Sequence, residues 1–98
     1  MSYGIVLVFE GVSEQQYWGV NEKLGIQPDG TGDWPKGLIA HSGGPAAGDG
    51  WIVIERWDSK ESQEEFMGTR LGAALMAVGV PAPAHIFETN TVNDQYFG

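Results

Sequence analysis

Residues 3–10, YGIVLVFE, are apolar at consecutive positions, rich in β-branched and aromatic types, and end at Gly11. A run with no polar face predicts a central strand covered on both sides. The period then lengthens. In Val12-Ser13-Glu14-Gln15-Gln16-Tyr17, Ser13 fits an N-cap, Gln16 completes a capping box and Val12 is placed to staple onto Tyr17. Leu24-Gly25-Ile26 supplies the glycine and following apolar residue of a Schellman stop, which predicts a helix over 14–24. Residues 27–36, QPDGTGDWPK, read as a loop whose only large apolar group is Trp34. GLIAHS (37–42) and WIVIERW (51–57) predict two arms of a hairpin, joined by a flexible GGPAAGDG at 43–50. Asp58 or Ser59 caps a second helix with the apolar stripe Met67, Leu71, Ala74, Leu75 and Val78, stopped by Gly79-Val80-Pro81. AHIFETNTV (84–92) predicts a last strand, leaving NDQYFG as a tail that is mobile or reaches a partner.

The order is β, α, β, β, α, β. Two split βαβ units with right-handed crossovers predict an α+β, ferredoxin-like single domain: a four-stranded antiparallel sheet with both helices on one face. The other face then lacks cover. Ile52 and Ile54 point there with Arg56, and a wet apolar patch of that size is rare on monomers. The expectation is a homodimer through this sheet face, with Arg56 in an inter-subunit or intra-sheet ion pair.

Composition narrows the chemistry. Five basic against 13 acidic residues give a net charge of −8, which repels phosphate backbones and anionic membranes alike, so no nucleic acid and no membrane partner is expected. Zero cysteines exclude disulfides and thiolate chemistry, and two histidines make a protein-only zinc site unlikely to assemble, so no metal and no cofactor is expected. The apolar start IVLVF is far shorter than a signal peptide or a spanning helix, and a cytoplasmic protein is expected. GGPAAGDG lacks the lysine and spacing of a phosphate-binding loop.

The element order, and E-R-W-D-S-K-E (55–61) at the end of the third strand, resemble the dimeric α+β barrel proteins that include the antibiotic biosynthesis monooxygenase group. Small uncharacterised members are most similar, through His41-Ser42-Gly43-Gly44-Pro45, Gly50-Trp51 and Glu55-Arg56-Trp57. The resemblance implies a cavity between sheet and helices, with Trp57 lining it. Haem-degrading members carry a histidine ten residues beyond that tryptophan, where this chain has Met67, so the resemblance does not imply haem. The asparagine and arginine partners of the quinone-forming monooxygenases are not matched either, and activity does not transfer with the fold.

The candidate chemistry lies on the hairpin. Trp51, Val53, Glu55 and Trp57 alternate onto one side, and a pairing centred on residues 42 and 50 sets His41 opposite Trp51, Ile39 opposite Val53 and Gly37 opposite Glu55, leaving space beside the carboxylate. One reading is a pocket for a small aromatic or otherwise apolar metabolite, lined by Trp51, Trp57, Tyr17, Met67 and Leu71. An enzyme reading adds His41 or Glu55 as catalytic base of a cofactor-independent monooxygenase or isomerase. A third reading is a dimeric scaffold: the tryptophans are core, Glu55 accepts from an indole or backbone N–H, and His41 caps the 43–50 loop. Glu55 is the most informative residue, because a carboxylate between two indoles needs a specific partner or a displaced proton. Trp34 fits either a lid or a pin for its loop, and His85 reads as structural.

Overall fold

The structure is a computed structural model that describes residues 2–97. Its strands are β1 (Tyr3–Phe9), β2 (Leu38–Pro45), β3 (Trp51–Trp57) and β4 (His85–Asn90), in the sheet order β2-β3-β1-β4 with every pair antiparallel. Helix α1 (Glu14–Leu24) crosses from β1 to β2. A second helical passage, α2 (Lys60–Phe66), a π-helical turn (Met67–Leu71) and α3 (Gly72–Val78), crosses from β3 to β4. This is the ferredoxin-like α+β fold expected from the pattern. Glu55 and Trp57 alternate inward with Trp51 and Val53, while β1 buries Tyr3, Ile5, Leu7 and Phe9 on the same face.

Local chemistry sets each helix end. Ser13 accepts from the Gln16 backbone N–H at 3.1 Å, and the Gln16 side chain accepts from the Ser13 N–H at 2.9 Å, so the expected capping box forms. Gly25 closes α1 in the left-handed conformation, φ 80°. Ser59, not Asp58, caps α2, and Gly79 ends α3 as Gly25 ends α1.

Three expectations need correction. The hairpin pairs His41 with Glu55, Gly43 with Val53 and Pro45 with Trp51, because β2 runs on through Gly43-Gly44-Pro45 and the turn tightens to Ala46–Gly50, closed by the Ala46 N–H to the Gly50 carbonyl at 3.0 Å. The shift is even, so His41 stays on the helix side. A bulge between Leu38 and Ala40 places Leu38 and His41, three residues apart, on that same side and turns Ile39 out to solvent. Gly37 lies away from Glu55: at φ 92° it sits against α2, where a Cβ would fall 2.7 Å from Asp58 Oδ1. In the second helical passage the π turn adds a residue to the repeat, so Phe66 is buried with Ala74 and Leu75 while Met67 is only half-buried.

The face away from the helices carries half-buried Val6, Val8 and Ile52, and exposed Ile54 and Phe87. Every residue of β4 is exposed. Arg56 is paired with the chain's own C-terminal segment, 2.6 Å from Asp94 Oδ1 and 5.7 Å from the Tyr96 ring centre. Asp94 also accepts from the Ser2 hydroxyl. The tail thus lies along one end of this face. Among the described residues no helix is long and apolar enough to cross a membrane.

Candidate functional site

Between the sheet and helices lies a cavity of about 60 Å³. Leu7, Phe9, Val53, Leu71 and Leu75 form much of its apolar wall, and Trp34 with Pro35 line it from the loop between α1 and β2. At a minimum of roughly 10–15 Å³ of such space per water, it has room for a few waters, and it is smaller than the cavity of about 150 Å³ that holds a benzene ring.

One hydrogen-bonded chain of side chains borders it. The Tyr17 Oη lies 2.6 Å from His41 Nε2, His41 Nδ1 lies 2.7 Å from Glu55 Oε2, and the Trp57 indole N–H donates to Glu55 Oε1 at 3.0 Å. Three elements supply it: Tyr17 from the second turn of α1, His41 from β2, and Glu55 with Trp57 from β3. The glutamate sits opposite His41 in the strand register, which makes the pair a cross-strand contact fixed by backbone pairing. Both carboxylate oxygens have donors, which explains how a residue only 9 % exposed tolerates burial.

A carboxylate only accepts, so Glu55 assigns the hydrogen to His41 Nδ1. With the ring neutral, Nε2 is left with a lone pair and accepts the Tyr17 hydroxyl. Burial pushes the Tyr17 phenol above its ordinary value, and the Glu55 charge adds to the rise, while a hydrogen bond with Asn21 opposes it. Tyr17 therefore keeps its proton at neutral pH. Aromatic neighbours frame the relay: Trp51 lies 4.9 Å from the Tyr17 ring and Trp34 5.3 Å from His41, centre to centre.

Of the residues singled out in the sequence, Tyr17, His41, Trp51, Glu55 and Leu71 border the cavity together. Trp57 and Met67 do not. Trp57 is fully buried against Phe66, with ring centres 5.6 Å apart, and supports Glu55 from behind; Met67 accepts a long hydrogen bond from Gln63 at 3.8 Å. Asn21, Leu38 and Phe66 line the cavity without having been anticipated. Asn21 was recoverable, since it lies one helical turn beyond Tyr17 on the same face. Trp34 is pinned by its indole N–H to the Gly30 carbonyl at 2.8 Å, and Arg70 ties the loop down through the Leu24 and Asp33 carbonyls at 2.9 and 2.6 Å. The Trp51 N–H is buried and has no acceptor among the described residues. No group of three or more potential metal ligands occurs among them either.

No protein-family model and no curated protein matches the sequence. Solved structures do match in fold. A candidate antibiotic biosynthesis monooxygenase from Chloroflexus aurantiacus superposes with a TM-score of 0.65 at 17% identity, covering 100% of both chains. A cofactor-independent oxygenase from Streptomyces nogalater, SnoaB, gives 0.60 at 11% identity, covering 95% of each chain. A dimeric ferredoxin-like protein of unknown function from Thermobifida fusca gives 0.52 at 18% identity, covering 91% of this chain and 88% of that one. At these identities the likeness establishes the ferredoxin-like fold common to antibiotic biosynthesis monooxygenase-like proteins, and the chemistry must be argued from the side chains.

Proposed function

We propose that the cavity binds a small, largely apolar molecule, and that the buried His41–Glu55 pair exchanges a proton with it. The observation that carries this reading is a histidine hydrogen-bonded at 2.7 Å to a glutamate beside an otherwise apolar cavity. A core with no task has little use for this arrangement, because two ionisable groups cost desolvation that well-packed hydrophobic residues of similar volume avoid. A carboxylate that fixes the imidazole tautomer is a recurrent device for general acid–base work. The reaction class that fits is deprotonation next to a carbonyl, as in a cofactor-independent oxygenase or an isomerase. A polycyclic guest does not fit the volume.

The assembly we propose is a homodimer in which a second copy covers the sheet face bearing Ile52, Ile54 and Phe87. Exposure of Ile54 and Phe87 supports it, at about 1.5–3 kcal/mol for each large side chain removed from water.

The cavity is tested with one-ring ketones and phenols by ligand-detected NMR, comparing the native chain with Leu71→Trp, which fills the space from the helix side. Binding that disappears in the variant while the thermal midpoint holds supports the reading; unchanged binding places the guests elsewhere. Glu55→Gln then separates binder from catalyst. A catalyst loses proton exchange and keeps affinity.

A further inference from the structure

Both ring nitrogens of His41 are taken. Nδ1 faces Glu55 at 2.7 Å and Nε2 faces the Tyr17 hydroxyl at 2.6 Å, so neither presents a free lone pair to a guest. Glu55 is engaged at both oxygens. The tyrosine oxygen borders the cavity and keeps an acceptor site of its own, since a hydroxyl donates one hydrogen, here toward His41, and accepts at two sites, one of them taken by Asn21. Resting on the acid–base reading above, we propose that Tyr17 is the catalytic residue that touches the substrate and relays its proton to His41.

The step balances within the chain. A substrate C–H next to a carbonyl breaks and its electron pair stays on the substrate as an enolate. The proton bonds to Tyr17 Oη while the original Tyr17 proton passes to His41 Nε2. Tyr17 stays neutral throughout, and the positive charge on the imidazole faces the Glu55 carboxylate. Reversing the path returns a proton to the same or a neighbouring atom. No oxidant or reductant takes part.

A second observation, independent of the hydrogen bonds, is the strand beneath the phenol. A Cβ on Gly43 would fall 2.9 Å from both Cζ and Oη of Tyr17, closer than real contacts allow. Gly43 has no need of a positive φ, so the closeness of the ring is what a side chain there would violate. A glycine at this point of β2 seats the hydroxyl on His41.

The experiment is exchange of the α-hydrogens of cyclohexanone for deuterium, followed by mass spectrometry with the full chain in D2O. The native protein is expected to accelerate exchange above buffer. Tyr17→Phe, which keeps the ring and removes only the oxygen, is expected to lower kcat by about 100-fold or more with KM for cyclohexanone within about twofold. Gly43→Ala, which displaces the hydroxyl without removing it, is expected to lower kcat in the same direction and serves if the phenylalanine variant does not fold. Native-level exchange in Tyr17→Phe overturns the assignment; if Glu55→Gln has lost exchange at the same time, the acid–base reading stands and His41 meets the substrate itself. Cyclohexanone that binds to the native protein but exchanges no faster than in buffer overturns both the relay and the acid–base reading.

Discussion

At the scale of single residues, Trp57 shows how support and contact divide. It is fully buried, it fills the space against Phe66, and its N–H holds one oxygen of Glu55. Trp57→Ala is expected to cost about 3–5 kcal/mol of stability from the lost packing alone, read by denaturant unfolding. Trp57→Phe keeps most of the volume but leaves a buried carboxylate oxygen unpaired, for a further loss of about 1–3 kcal/mol. A Trp57→Phe variant as stable as the native chain would mean that the indole N–H does nothing for Glu55. The need of Glu55 for a partner was legible in the sequence, because no carboxylate sits unaided among indoles. That an indole N–H would serve was legible as well, and Trp57 supplies it; that His41 would be the second partner was not, because its pairing depends on where β2 starts and bulges, and neither leaves a mark in residue types alone.

At the scale of elements, the helices announced themselves through their caps, since Ser13, Gln16, Gly25 and Gly79 each satisfy backbone groups that a helix end must satisfy. The hairpin was harder. Gly43-Gly44-Pro45 has the composition of a loop, yet at the edge of a sheet a proline needs no partner for its missing N–H, and a glycine at 43 is tolerated where the Tyr17 side chain presses close. The π turn was hidden for a related reason. A stripe counted at 3.6 residues per turn selects Met67, whereas the extra residue lets Phe66 and Leu71, five apart, both border the cavity. Deleting Gly68 removes that residue from a site where nothing lies within 4 Å of a Cβ position. The two helix halves are expected to keep their inward faces, and the thermal midpoint is expected to hold or rise, as losing a helix-interior glycine is worth about 1 kcal/mol. A fall of more than about 10 °C would show that the π turn itself holds the packing together.

At the scale of the whole molecule, two tyrosines tie stability to alkaline pH. Burial raises both Tyr3 and Tyr17 above the ordinary 10.0, and Tyr3, which donates to Glu88, is raised further by that carboxylate. Above about pH 10 the unfolded chain has released protons that the folded chain still holds, so this stability is complete below that pH and is lost as pH rises through the window. The thermal midpoint is expected to fall above about pH 10, and to fall less steeply in a Tyr3→Phe/Tyr17→Phe variant. Assembly has its own electrostatic signature. Two chains each of net charge −8 repel as they meet, so a dimer held by Ile54 and Phe87 should tighten as salt is added. Sedimentation equilibrium is expected to give twice 10.6 kDa, more firmly at high salt, and one chain mass for Ile54→Asp. A native protein that sediments as a monomer at every concentration would remove the dimer.

The bond between Tyr17 and His41 joins an oxygen carried by a helix to a nitrogen carried by the sheet beneath it. Hydrogen bonds of this kind weaken over a few tenths of an ångström. The bond is therefore a gauge of how firmly α1 is seated. Any guest, mutation or partner that lifts the helix slightly is expected to break the proposed proton path before it disturbs the fold, with the imidazole nitrogen shifts recording it. Under the relay proposed above, chemistry and docking of the first helix share this contact, so the activity is expected to be lost without unfolding the chain.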